Sequence, residues 1–236
     1  MRRRRLLDGM IATAGTAALT IALTIALGGA GCSLLPSQPY VQRRDWPLVV
    51  RRAPRESQVE LPVESRVELP LELPQALPRR AGGSVLLVRT IQAGPGLETR
   101  GLQTVRQDGS VQTEFYEQWA VPPAEAVDDD LRRWLADSLL FAAVLAPGSR
   151  MTADLVLEGE LVALHADLGT GMARAALALV LIDQRPGPAR IRLQRTEAAA
   201  VKLEGTDPPA RVRAQLAALE AVLRQTETVL ADAVRP

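Results

Sequence analysis

The sequence predicts a single α+β domain, a largely antiparallel sheet covered by two helices, preceded by a signal peptide and a Pro-rich linker. Three observations predict it. Apolar runs of strand length recur between Val85 and Ala200 with connections of hairpin length. Two longer stretches with apolar residues at helical spacing each follow a double proline, at Pro122-Pro123 and Pro208-Pro209. Their order, strands, helix, strands, helix, is that of elements segregated into layers. The chain accordingly divides into residues 1–31, 32–81 and 82–236.

The first segment opens with Arg2-Arg3-Arg4-Arg5, runs uncharged from Gly9 to Leu27 and closes on Gly28-Gly29-Ala30-Gly31-Cys32. Charge, apolar stretch and small residues in that order are a signal peptide, because the arginines resist transfer while the apolar stretch inserts. The small residues before Cys32 resemble the lipobox of bacterial lipoproteins. That resemblance implies that the Cys32 thiol takes a diacylglyceryl group and that cleavage leaves the cysteine first. Gly29 stands where a leucine or other branched apolar residue is usual. The other reading is an uncleaved anchor helix, since the apolar stretch approaches the roughly 20 residues that span a bilayer. Both readings put the rest of the chain outside the cytoplasm.

Cys32 is the only cysteine, so the exported domain has no disulfide and must be stabilised by its core. Removing 31 of 236 residues leaves 205, enough for one domain and a linker. The net charge of +1 includes the leader arginines, which makes the mature chain slightly acidic. It has no basic stripe, and nucleic acid is not an expected partner.

Within 32–81, Ser33 to Pro39 is a short tether, and Tyr40 to Arg52 holds a candidate edge strand around Leu48-Val49-Val50, weakened by Pro47. Val59-Glu60-Leu61-Pro62, Val67-Glu68-Leu69-Pro70 and Leu71-Glu72-Leu73-Pro74 nearly repeat. Recurrent proline removes backbone donors and favours an extended chain. At about 3.1 Å per residue the span 53–80 would reach on the order of 80 Å. It is either a spacer that lets the domain stand away from its anchor or reach a partner, or a disordered insertion without a role.

From Gly82 the pattern is that of a domain. Ser84 to Ile91 reads as a strand buried on both faces. Leu102 to Arg106 and Val111 to Tyr116 flank a hairpin turn at Asp108-Gly109. The helix after Pro122-Pro123 places Val127, Leu131, Trp134, Leu135 and Leu139 near one face and Asp128, Asp129, Asp130, Arg132 and Arg133 mostly off it, ending before Pro147-Gly148. Its early aspartates suit the macrodipole. Three strands follow, at about 154–166, 172–183 and 189–200, the middle one apolar on both faces and the last alternating as nearer an edge. Asp207 precedes the final helix, whose stripe is Val212, Leu216, Leu219, Leu223, Leu230 and Val234. Leu216, Leu219 and Leu223 are core residues unless the helix mediates self-assembly into a homo-oligomer.

Candidates for chemistry are few. His165 is the only histidine and has no second ligand at a recognisable spacing, so it reads as a packed or strand-end residue. Glu158 and Glu160 share a strand face as an acid/base pair would, but alternating charge on a half-exposed strand is the commoner cause. Gly169-Thr170-Gly171 precedes a strand and reads as a turn. No phosphate-binding loop sequence occurs. No enzyme activity, cofactor or metal is expected.

Val85-Leu86-Leu87-Val88-Arg89, then Leu97-Glu98-Thr99-Arg100 before a hairpin, then Glu114-Phe115-Tyr116-Glu117-Gln118-Trp119-Ala120 leading into the first helix resemble the auxiliary lipoproteins of ABC-type transporters, the PqiC-like family. The order of elements covers most of residues 82–234. The resemblance implies a protein facing the periplasm, lipid-anchored in the outer membrane, that docks an MCE-type transporter moving phospholipid between the envelope membranes. Ser33 after Cys32 is compatible with outer-membrane sorting, with the periplasmic face of the inner membrane as the alternative. Its partner would be an MCE-domain protein, with the energy supplied by an ATPase elsewhere. Phe115, Tyr116 and Trp119 are the candidate partner-binding residues, since aromatics are enriched at interfaces. For Trp119, at the strand-to-helix junction, anchoring the helix in the core is the competing role. The competing function is a structural or assembly-assisting envelope lipoprotein.

Overall fold

The structure is a computed structural model, which describes residues 41–53 and 83–235. The signal peptide, Cys32 and the Val-Glu-Leu-Pro repeats lie outside the described residues. Nine strands and two helices follow one another as β1 (Arg44–Trp46), β2 (Val85–Val88), β3 (Gln92–Ala93), β4 (Gly101–Val105), β5 (Val111–Trp119), α1 (Pro123–Ser138), β6 (Ala143–Leu145), β7 (Leu155–Asp167), β8 (Met172–Asp183), β9 (Arg190–Lys202) and α2 (Pro208–Ala233) among the described residues.

The expected α+β architecture is present, a sheet with two helices. Its organising element is the long strand β7. One edge of β7 pairs along its whole length with β8, and β8 in turn with β9, both antiparallel. The other edge is shared in succession by β2, β3 and β4, each parallel to β7 over a short stretch. β6 adds to β2, and β1 to β5, also in parallel. The long ladders are therefore antiparallel, and the parallel pairings are short. These short pairings and β6 are absent from the sequence reading, because strands of two to four residues carry too few side chains to establish a period.

Alternation on β8 shows how the layers form. Ala173, Ala175, Leu177, Leu179 and Leu181 are buried, whereas Arg174, Ala176, Ala178 and Val180 are exposed or half-buried. Ala175, Leu177, Leu179 and Leu181 pack in one core with Val127, Leu131, Leu135, Leu219, Leu223 and Leu230 of the helices. Apolar residues on both faces of β8 thus do not mean burial on both faces. The same correction applies to β2, where Leu86 and Val88 are buried but Val85 and Leu87 are only half so.

Helix α1 starts with Pro122 at the cap and Pro123 at its first position and ends at Ser138, where Leu139 takes the left-handed conformation at φ 58°. Asp128 and Asp130, expected off the apolar face, are buried. The reason for Asp130 is long-range, since its carboxylate accepts the Val50 N–H at 2.8 Å and pairs with Arg133. Leu48 and Val50 are themselves core residues. Arg52 makes a two-pronged pair with Glu227 of α2 at 2.9 Å per contact, and the Trp134 indole donates to the same carboxylate at 2.9 Å. Leu48-Val49-Val50, expected as an edge strand, is not in one, because the Val50 N–H is taken by Asp130 of α1. The strand of this segment is β1 at Arg44–Trp46, and the segment belongs to the folded unit, which begins at Arg43. The proline-rich stretch connects two ends, Ala53 and Gly83, that belong to this one unit. It cannot be the spacer between Cys32 and the domain. That distance is spanned by residues 33–42 alone.

Candidate functional site

The β4–β5 hairpin turns at Asp108-Gly109, with Gly109 at φ 81° and Ser110 donating to Asp108 at 2.9 Å. From the turn the register runs regularly to Gln103 opposite Thr113, then jumps to Gly101 opposite Gln118. The single residue Leu102 faces residues 114–117 of β5. A bulge of that kind re-aims side chains. Here it turns out an aromatic pair.

The crossing requires Gly101. A Cβ there would lie 2.5 Å from Thr113 Cγ2 and closer still to the Glu114 carbonyl oxygen, so the bulged backbone rests where any other side chain would begin. The bulge is held from the other side by Gln118, 9 % exposed, whose amide donates to the Phe115 carbonyl at 2.8 Å. Arg43 donates to the Gln118 side-chain oxygen. Trp46 donates its indole N–H to Glu117 at 2.7 Å, and Arg44 also pairs with Glu117. β1 thus serves as a clamp on the base of β5.

Phe115 is 70 % exposed and Tyr116 45 %, their rings edge to face with centroids 5.1 Å apart at 87°. That geometry is favourable for an aromatic pair but buries little of either ring. Val111, further along the same strand, is exposed as well. Trp119 is 1 % exposed and belongs to the core. The candidate partner-binding set therefore divides, with Phe115 and Tyr116 at the surface and Trp119 removed from it because it anchors the junction of β5 with α1. Arg43, Arg44, Gln118 and Gly101, which build the surface, were not among the sequence candidates. A glycine inside a strand pattern was the available signal for the bulge.

The remaining candidates lie on β7 and in the turn that follows it. His165 lies across from Arg174 on β8. Burial pushes its imidazolium down from the usual value, Asp167 opposes that and Arg174 adds to it. Glu158 pairs with Arg89 at 2.8 Å, and Glu158 and Glu160 line a shallow hollow of 480 Å³ with Gln92, Val180, Gln194 and Thr196. Gly169-Thr170-Gly171 is a turn, as expected, in which Asp167 accepts the N–H groups of Gly169 and Thr170 at 2.9 and 3.0 Å. Among the described residues no group of three or more His, Cys, Asp or Glu side chains is placed to hold a metal ion. Among them, too, no helix is long and apolar enough to cross a membrane.

The model of the ABC-type transport auxiliary lipoprotein component family matches residues 68–226, more than half of the chain. The chain belongs to this family. Its fold is also that of solved structures. It is similar to a Xanthomonas campestris protein of the DUF330 family at 22 % identity and TM-score 0.57, over 64 % of this chain and 85 % of that one. A second, uncharacterized protein matches at 15 % identity and TM-score 0.51, over 64 % of this chain and 92 % of the other. No curated protein matches the chain. The family is one of auxiliary lipoprotein components of ABC-type transport.

Proposed function

We propose that this protein is a non-enzymatic, lipid-anchored auxiliary component of an MCE-type ABC transport system, docking the transporter at the outer membrane for phospholipid traffic across the periplasm. The family match over 68–226 carries the reading, since it spans the aromatic stretch of β5, α1 and the β7–β8–β9 meander. Cys32 is the lipid attachment point, exported by residues 1–31, and Phe115 and Tyr116 are the contact surface of the folded unit.

Affinity capture of the full-length protein from mildly solubilised envelopes tests it, with Cys32→Ala alongside and the mass of the mature N-terminus measured. Recovery of an MCE-domain protein with wild type, a triacylated Cys32, and loss of envelope retention in Cys32→Ala are the expected results. A lipidated protein that captures no transporter component sinks the transport role and leaves a structural envelope lipoprotein. An intact, unmodified N-terminus sinks the anchor.

A further inference from the structure

The folded unit begins at Arg43, ten residues after Ser33 begins the tether. Fully extended, residues 33–42 span at most roughly 35 Å. A compact unit of this size has a radius of gyration of about 15 Å and is therefore about as wide as its tether is long. With lipid on Cys32, the surface around Arg43 is kept within one domain's width of the bilayer. The proline-rich segment adds nothing to that reach, because both its ends return to the same unit.

The surface around Arg43 is the aromatic bulge. Arg43 holds Gln118, Gln118 holds the Phe115 carbonyl at 2.8 Å, and Arg44 lies in register with Glu117. Two largely exposed rings, one of them with a hydroxyl, sit on a braced strand and not on a loose loop. Arg43 and Arg44, on the neighbouring segment, are 45 % and 60 % exposed and pair with Asp45 at 3.9 Å and Glu117 at 3.4 Å, loose exposed contacts that a lipid phosphate can replace. Aromatic residues with one apolar and one polar end concentrate at the headgroup level of membranes, and arginine is drawn to anionic lipid. The lipid on Cys32 ties the chain to the bilayer but leaves the folded unit free to turn on its tether, and a second contact with the same bilayer fixes its orientation.

We infer that the Phe115–Tyr116 bulge, flanked by Arg43 and Arg44, is a second membrane contact that seats the folded unit on the headgroup layer of the bilayer in which Cys32 is anchored. The inference rests on the lipid anchor proposed above and names the occupant of that contact surface. It orients the molecule, with the β1–β5 edge toward lipid and the β9 edge, four strands away through β4, β7 and β8, toward the aqueous side.

The test uses full-length lipoprotein in vesicles of phosphatidylethanolamine and phosphatidylglycerol, some of the lipid carrying a headgroup-level nitroxide quencher. Because the only native cysteine is Cys32, a lipidated chain presents no free thiol until one is introduced. Phe115→Cys and, as the distant control, Ile191→Cys at a position 63 % exposed on β9 are each labelled with a thiol-directed fluorophore. Loss of label fluorescence to the quencher at 115, with none at 191, is the expected result. Equal quenching at both positions overturns the inference while leaving the anchor intact. Uptake of label by the wild type shows a free Cys32 and overturns the anchor and this inference together. If Phe115→Ala with Tyr116→Ala abolishes capture of a transporter component while the label at 115 stays unquenched, the surface belongs to a protein partner and the inference falls.

Discussion

The β7–β8–β9 meander and the β4–β5 hairpin are both antiparallel, and they are held in different ways. The meander runs in near-continuous register, and every second residue of β8 enters the core beneath α2. The hairpin loses its register after Gln103 and is braced by side chains from elsewhere, Arg43 and Trp46 of the N-terminal segment on one flank and Arg211 of α2, which reaches Thr104 and Glu114, on the other. The first region spends its residues on burial and leaves its outer face quiet. The second uses polar contacts and one obligatory glycine to present two rings to solvent. A stable scaffold and a shaped surface thus occupy opposite ends of one sheet.

Substitutions can break that contrast. The largest effect is expected for Leu177→Ala, at a fully buried site in the middle of β8, which should destabilise by about 2–5 kcal/mol through lost burial and a residual cavity. Urea unfolding followed by circular dichroism measures it, and a loss no greater than that of a surface change would mean the meander is not the stabilising half. Gly101→Ala should cost about 1–3 kcal/mol by forcing a Cβ into the Glu114 backbone. It should also alter Tyr116 fluorescence or its nitration by a surface reagent, because the bulge must shift. Unchanged stability and reactivity together would show that the bulge does not depend on that close approach.

Asp130 sharpens the comparison at the joint between the N-terminal segment and α1. Asp130→Ala leaves the buried Val50 N–H without its acceptor and should cost about 1–3 kcal/mol. Asp130→Asn keeps an acceptor and should cost less. Burial holds the Asp130 carboxyl above the usual carboxylate range, opposed by the Val50 N–H and by Arg133. The folded chain therefore binds this proton more tightly than the unfolded one, so the group's contribution to stability falls as pH rises from about 3.9 through the raised folded value. Asp130→Asn should remove that fall, read as a smaller difference from wild type at neutral than at mildly acidic pH. The smallest effect is expected at the surface itself. Phe115→Ser with Tyr116→Ser should change stability by no more than about 0.5 kcal/mol, measured by the same unfolding curves. A larger loss would place the rings in the fold's own stabilisation.

Legibility followed the same divide. The meander strands, the turns between them and the α2 stripe could be read because their side chains repeat at periods of two and 3.6 residues over a dozen positions or more. The segment around Leu48-Val49-Val50 reads as a strand but is not one, since nothing local indicates that Asp130, eighty residues away, receives the Val50 N–H. Asp130 itself was misjudged for the same cause. Trp119 and Phe115 stand in one aromatic stretch and look alike in sequence. Their fates differ because Trp119 sits at the end of β5, where the strand turns into the core, and Phe115 on the bulge before it.

By itself, then, the sequence determined the fold class, the long strands and helices and the family resemblance, because each is written in local composition or in a repeating period. Only the tertiary structure decided that the domain starts at Arg43, that the proline-rich stretch is an internal connection, that β2, β3 and β4 share one edge of β7, and that Phe115 and Tyr116 are exposed while Trp119 is not. Each of these depends on which distant groups meet, and a distant contact leaves no period in the chain from which to read it.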